Sequence, residues 1–176
     1  PQYEAIRMLG DQFHKMGIRA FLVGGTVRDL LLEREVSDID IIVESDPSKL
    51  MNKFEPQYQL DVISNSQFNT CKIKFLNQIV DLAMARKEVY PASGALPEVT
   101  SASIEDDLGR RDFSINSLAA CINPSNWGEV LDLHKGLEDL HSKQVRILHS
   151  ESFKNDPTRI FRCMRYSGRL GFSIEN

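Results

Sequence analysis

Leu22-Val23-Gly24-Gly25-Thr26-Val27-Arg28-Asp29, followed by Ser37-Asp38-Ile39-Asp40-Ile41-Ile42-Val43, is the stretch on which the reading of this chain turns. In the first run, residues 19–23 form a short apolar strand. Gly24 and Gly25 then turn the chain into a helix predicted over 26–33. Glycines at such a turn let backbone approach a ligand closely, and the first helical turn beyond them offers free N–H groups and Arg28. A triphosphate would fit there; so would a plain tight turn with an exposed arginine. In the second run, side chains alternate along a strand predicted over 38–43. Asp38 and Asp40 therefore share one face, while Ile39, Ile41 and Val43 share the other. Two adjacent carboxylates repel, and burying them costs several kcal/mol each. An otherwise apolar strand keeps such a pair when a cation is present. Two Mg²⁺ ions would relieve the repulsion and clamp both oxygens of an in-line phosphoryl transfer.

Three further constellations lie outward from that stretch. Asp81 interrupts the apolar run Gln78-Ile79-Val80-Asp81-Leu82-Ala83-Met84, and would complete a carboxylate site if its strand lay beside Asp38 and Asp40. Arg110-Arg111-Asp112-Phe113-Ser114-Ile115-Asn116 supplies paired donor forks for phosphate, with Asp112 or Asn116 placed for a ribose hydroxyl. Asp156-Pro157 caps a helix predicted to about Leu170, on which Arg159, Arg162, Arg165 and Arg169 fall in one stripe. Ile160, Phe161 and Met164 lie on the other side, so we expect that side to pack and the arginines to face phosphates.

The remaining elements follow from period and punctuation. Helical spacing covers 3–16, and Asp46-Pro47 starts a helix over 48–54. Strands are read at 58–63, 70–76 and 78–84, the last two joined as a hairpin, and less clearly at 117–122 and 129–133. Residues 86–102 hold Pro91, Gly94 and Pro97 without periodicity and read as a long functional loop. Ser103-Ile104-Glu105-Asp106 has capping-box form. Strands and helices mix without strict alternation, which predicts an α/β (α+β) fold.

The 176 residues carry 26% charged and 41% hydrophobic side chains, ordinary globular composition. No apolar run approaches the ~18 residues of a membrane span. Cys71, Cys121 and Cys163 form no CxxC, and the histidines no HExxH, so neither a disulfide framework nor a zinc site is expected. A reduced, cytoplasmic protein is expected. The net charge of -4 excludes a globally basic nucleic-acid binder, but the charge is uneven. Residues 143–169 hold seven basic and two acidic residues, an acidic body thus meeting a basic C-terminal segment.

Taken together and in this order, Leu-Val-Gly-Gly-x-Val-Arg-Asp, Asp-x-Asp, Arg-Arg-Asp-Phe-x-x-Asn and Asp-Pro-x-Arg-x-x-Arg-x-x-Arg resemble the class II tRNA nucleotidyltransferase and bacterial poly(A) polymerase family. The tract from Leu131 to Leu140 is also similar to the family's link after the catalytic sheet. The resemblance implies a polymerase-β-like nucleotidyltransferase head over 1–142, a small mixed sheet flanked by helices. It implies that 143–176 begins an all-α neck. It implies that Asp38 and Asp40 bind Mg²⁺ and that Gly24, Gly25 and Arg28 hold the triphosphate; the role of Asp81 as a third carboxylate stays open. Arg111 and Asp112 would serve the ribose and phosphates. Arg159, Arg162 and Arg165 would face the nucleotide or the RNA backbone. The partners implied are ATP or CTP and the 3′ end of a tRNA or other RNA, with no membrane; oligomeric state is left open. The family's base-selecting Glu-Asp-x-x-Arg motif has no match here, so a fragment is expected, weakly active or inactive by itself, and CCA-, A-, CC- and poly(A)-addition stay open. The long loop after Asp81 speaks mildly against CC-addition. A non-catalytic nucleotide- or RNA-binding head is the alternative from a different class.

Overall fold

The computed structural model describes residues 2–54, 60–66 and 69–175. Helix α1 (Gln2–Lys15) leads into β1 (Ala20–Val23), α2 (Gly25–Leu31) and β2 (Ile39–Val43). Next come α3 (Pro47–Leu50), a 3-10 turn (Met51–Lys53), β3 (Leu60–Ser66), β4 (Thr70–Phe75) and β5 (Gln78–Met84). Then follow β6 (Arg86–Val89), β7 (Glu98–Ser101), α4 (Ile104–Gly109), β8 (Leu118–Cys121) and β9 (Val130–Asp132). Helix α5 (Gly136–Ser142), β10 (Gln144–Val145), α6 (Ser152–Asn155), α7 (Thr158–Leu170) and β11 (Ser173–Ile174) complete the chain.

Seven strands form one mixed sheet in the order β3-β4-β5-β2-β1-β8-β9, with β2 and β5 parallel and the other pairs antiparallel. Alternation divides its side chains between two apolar layers. Ala20, Leu22, Ile39, Ile41, Val43 and Leu118 point to the larger layer, shared with Ala5, Leu9 and Phe13 of α1 and Val27 of α2. Phe21, Val23, Ile42, Ala119 and Cys121 point the other way and meet Ile104 and Leu108 of α4. Asp46 accepts from Ser48 N at 3.0 Å and Pro47 sits in the first helical turn, so the expected cap is present. The helix beyond it is only one turn, continued by the 3-10 segment, where 48–54 had been read as one helix.

Two expectations are corrected. Residues 86–102 are not a structureless loop: β6 and β7 pair antiparallel, Arg86 opposite Ser101, and only the segment between them is irregular. Lys, Glu and Thr at exposed hairpin positions give no apolar alternation, so the pattern was invisible. Helix α7 is turned about its axis relative to the expectation. Phe161 is 76% and Met164 64% exposed, whereas Cys163, Tyr166 and Leu170 are buried in the larger layer along with Arg159. Of the arginine stripe only Arg159 is buried, on Ser152 Oγ and the backbone carbonyls of Arg110 and Arg111; Arg162, Arg165 and Arg169 stay exposed beside the buried strip. The strand expected at 58–63 is found over Leu60–Ser66; positions 58 and 59 lie outside the described residues. Among the described residues no helix is long and apolar enough to cross a membrane.

Candidate active site

The glycine turn comes first. Gly24 has φ +59°, a left-handed conformation that costs a residue with a Cβ on the order of 1 kcal/mol; Gly25 does not share it. Thr26, one residue on, ties the turn to the carboxylate strand. Its Oγ donates to Asp38 O and accepts from Asp40 N, both at 3.0 Å. The turn and β2 are therefore held at a set separation.

Asp40 lies in β2 directly opposite Asp81 of β5, in the register of the parallel pair. Asp40 is half-buried. Burial pushes its carboxyl above the usual range, Asp81 and Asp38 push it further, and Arg111 and Lys72 pull it back. Asp38 precedes the strand, is exposed, and accepts from Ser37 Oγ at 2.9 Å. Asp81 is paired with Lys72 Nζ at 3.1 Å. Among the described residues no three His, Cys, Asp or Glu groups stand close enough to enclose a metal ion. The donors are hard oxygens, few, and beside a wide opening. That is the pattern of Mg²⁺, which keeps several waters and takes one or two carboxylates plus substrate phosphates.

Arginine-bearing segments form the rim. Arg28 is 2% exposed, and its guanidinium is spent on Asp29 (2.9 and 2.8 Å) and on Asn116 Oδ1 (2.6 Å). It organises the turn from beneath instead of reaching outward, unlike the exposed arginine the sequence allowed. Asp112 accepts from Arg162 Nε at 2.7 Å, from Asn116 Nδ2 at 3.1 Å and from Phe113 N at 2.9 Å. Arg159 donates to the carbonyls of Arg110 (2.8 Å) and Arg111 (3.2 Å), so it fastens α7 to the segment after α4. The Arg28, Arg162 and Arg165 guanidiniums lie 5.2, 5.6 and 6.0 Å from the Tyr166 ring centroid. Asp29 and Asp112 neutralise Arg28 and Arg162 there, and no ion pair is found for Arg165 among the described residues.

A cavity of about 1030 Å³ opens over this arrangement. Asp38, Asp40, Asp81, Gly24, Gly25, Arg28, Arg111, Asp112, Asn116, Arg159, Arg162 and Arg165 all line it. Residues 20–146 match the model of the Poly A polymerase head domain. The chain belongs to that family. Beyond the head-domain match, it is 41% identical to an A-adding tRNA nucleotidyltransferase of Geobacter sulfurreducens across 99% of this chain and 20% of that protein. It is 35% identical to a CC-adding tRNA nucleotidyltransferase of Deinococcus radiodurans across 85% of this chain and 40% of that one. A tRNA nucleotidyltransferase solved with a primer tRNA and an incoming ATP analog superposes with a TM-score of 0.80 at 35% identity, over 97% of this chain and 46% of that one. This head-domain chain thus spans less than half the length of each.

Reading by sequence passed over several residues of the site. Lys72 could have been found: the two-residue turn Leu76-Asn77, both with positive φ, sets Phe75 opposite Gln78 and hence Lys72 opposite Asp81. Tyr166, Asp29 and Asp107 carry no such signal: Asp29 and Asp107 pair with arginines one to four residues away, which on sequence alone look like solvated neighbours, and Tyr166 joins its helix arginines to Arg28, 138 residues away.

Proposed function

We propose that this chain is the catalytic head of an RNA 3′-terminal nucleotidyltransferase that adds AMP or CMP to the 3′ end of tRNA without a template. The observation that carries the reading is the in-register pair Asp40 and Asp81 on the floor of a cavity whose rim is built from arginines of separate segments. Residues 1–142 are taken as the head and 143–176 as the start of the neck, which is not all-α, contrary to expectation, since the short parallel pair β10–β11 accompanies α6 and α7.

In this reading the primer 3′-OH attacks the α-phosphate of the bound nucleotide and pyrophosphate leaves. Asp38 and Asp40 are the residues that would hold Mg²⁺, two ions by this account, which when bound supply charge stabilisation to the attacking and leaving oxygens. Asp81 adds the third negative charge. Gly24 and Gly25 let the backbone approach the triphosphate, and Arg28 holds their turn rigid. Arg111, Arg162 and Arg165 supply positive charge to the phosphates, Asp112 and Asn116 serve the ribose, and Arg159 fixes α7 in place. ATP and CTP are the nucleotides. The buried free thiols Cys71, Cys121 and Cys163 suit a reducing cytoplasm, where we place the protein.

The test is transfer of label from α-labelled ATP or CTP to a tRNA lacking its 3′ CCA, alongside calorimetric titration with each nucleotide in Mg²⁺. Triphosphate binding, and transfer above the Asp40→Ala background, are expected. A wild-type chain that binds neither nucleotide would overturn the reading. Poly(A) polymerase activity is the second reading, favoured by the name of the matching family. It predicts extension of unstructured RNA as well as tRNA.

A further inference from the structure

Asp107, in α4, is completely buried although it carries a charge. Its Oδ1 accepts from Arg110 Nε at 3.0 Å and Nη2 at 2.7 Å, and from the Arg86 backbone N at 3.3 Å. Its Oδ2 accepts from Arg111 Nε at 3.2 Å and Nη2 at 2.9 Å. A buried carboxylate survives only when its lone pairs are met, and two guanidinium edges plus an amide meet them.

The two arginines are not left equivalent. Arg110 has its remaining Nη1 on Glu88 Oε1 at 2.9 Å, so every nitrogen of its guanidinium is engaged. Arg111 gives only its Nε–Nη2 edge to Asp107, and its Nη1 has a long 3.4 Å contact with Asn116 O. That Nη1 lies 2.8 Å from where a Cβ on Gly24 would stand. Arg111 also acts electrostatically on Asp40. It therefore spans the gap between the glycine turn and the carboxylates, with one edge clamped and the other turned to the cavity.

We propose that Asp107 is a positioning residue that divides the arginine pair, holding Arg110 as scaffold and aiming the free edge of Arg111 at the phosphates of a bound nucleoside triphosphate. The inference rests on the nucleotidyltransferase reading above. A guanidinium binds phosphate well through two parallel N–H groups in a fixed plane, and the plane is fixed only if the opposite edge is held. Released from Asp107, Arg111 can swing to Asp40 or Asp112 and form an ion pair that competes with the nucleotide.

The test is a double-mutant cycle read by calorimetric titration of the chain with ATP in Mg²⁺. Asp107→Asn is expected to weaken ATP binding roughly tenfold when Arg111 is present, and less than about twofold further in the Arg111→Ala background. A merely structural role lowers affinity equally in both backgrounds, and that result, or wild-type affinity in Asp107→Asn, overturns the proposal while leaving the nucleotide reading intact. If Asp107→Asn does not melt cooperatively, Asp107→Glu keeps the charge, displaces it by one methylene and carries the same cycle. Failure of both to fold makes Asp107 purely structural and also overturns the proposal. Absence of ATP binding by the wild-type chain overturns the nucleotide reading, and this inference with it.

Discussion

Asp40 and Asp81 face each other across the parallel strands β2 and β5, and the nearest positive charges, Lys72 and Arg111, come from elements on either side of them. The folded chain thus holds together two groups that repel. The carboxyl of Asp40 sits above its usual range, first because it is buried and then because of Asp81. The folded state therefore binds its proton more tightly than the unfolded chain does. Stability from this group is greatest at low pH and is lost as pH rises from the ordinary carboxylate value through the raised one. Asp40→Asn should accordingly raise the melting temperature at pH 7 in metal-free buffer by roughly 2–4 °C, about 1 kcal/mol in a chain of this size. The gain should shrink toward pH 4. Nucleotide addition should be lost in the same variant. Scanning calorimetry at the two pH values checks it; an unchanged or lower melting temperature at pH 7 contradicts the repulsion.

Gly24 and Gly25 should respond differently to the same substitution. A Cβ at Gly24 meets Arg111 Nη1 at 2.8 Å and must adopt φ +59°, while a Cβ at Gly25 finds Arg28 Nη2 at an ordinary 3.5 Å. Gly24→Ala is expected to cost on the order of 1 kcal/mol and to displace Arg111, weakening ATP binding. Gly25→Ala should leave stability close to wild type, so any loss of ATP affinity there reports crowding of the phosphates alone. Urea denaturation and calorimetric titration of the two variants side by side decide this, and equal behaviour would refute it.

Arg28 is buried between Asp29 and Asn116, and its loss leaves the buried Asp29 carboxylate only the long 3.4 Å contact from the half-exposed Arg169. Arg28→Leu should destabilise the chain by roughly 3–5 kcal/mol, the usual cost of breaking a buried pair from one side. Arg28→Leu combined with Asp29→Leu should recover part of that. Chemical denaturation of the single and double variants measures it. A single variant within about 1 kcal/mol of wild type would mean that Arg169 or water takes over the Asp29 carboxylate.

Binding of ATP, CTP, GTP and UTP by this chain should differ little. The residues assigned to the nucleotide address phosphate, ribose and metal, which all four share. Base choice needs donors and acceptors held against the base edge, and without them discrimination rests on shape and stacking. Equilibrium titration in Mg²⁺ should give affinities within about tenfold, roughly 1.4 kcal/mol. A larger preference for ATP or CTP over GTP would show that the head reads bases.

Local pattern was enough for much of the fold. Alternation placed Asp40 opposite in face to Ile39 and Ile41, glycines marked the turn before α2, and Asp46-Pro47 and Ser103 marked helix starts. These signals are legible because they depend on neighbours within a few residues, through backbone conformation and side-chain period. The same holds for the basic segment and for the motif order from which the family was read, later matched over residues 20–146.

Tertiary structure alone decided which face of α7 is inside. By period, the Ile160, Phe161 and Met164 side is the one to bury, yet those residues are exposed, Arg159 is buried on two backbone carbonyls, and Arg162, itself exposed, reaches the buried Asp112. Hydrophobic spacing cannot register such partners, because they lie about 50 residues away in sequence and attract by charge. The same limit hid Arg28, whose burial depends on Asn116, 88 residues on; Asp107 was hidden for another reason, since its acidic neighbours Glu105 and Asp106 and the nearby Arg110 and Arg111 look like a solvated helix end. Residue type and period determined the elements and the carboxylate strand. Which arginines are spent inside the protein, and which keep an edge for a ligand, was settled only when folding brought distant carboxylates and carbonyls within hydrogen-bonding reach.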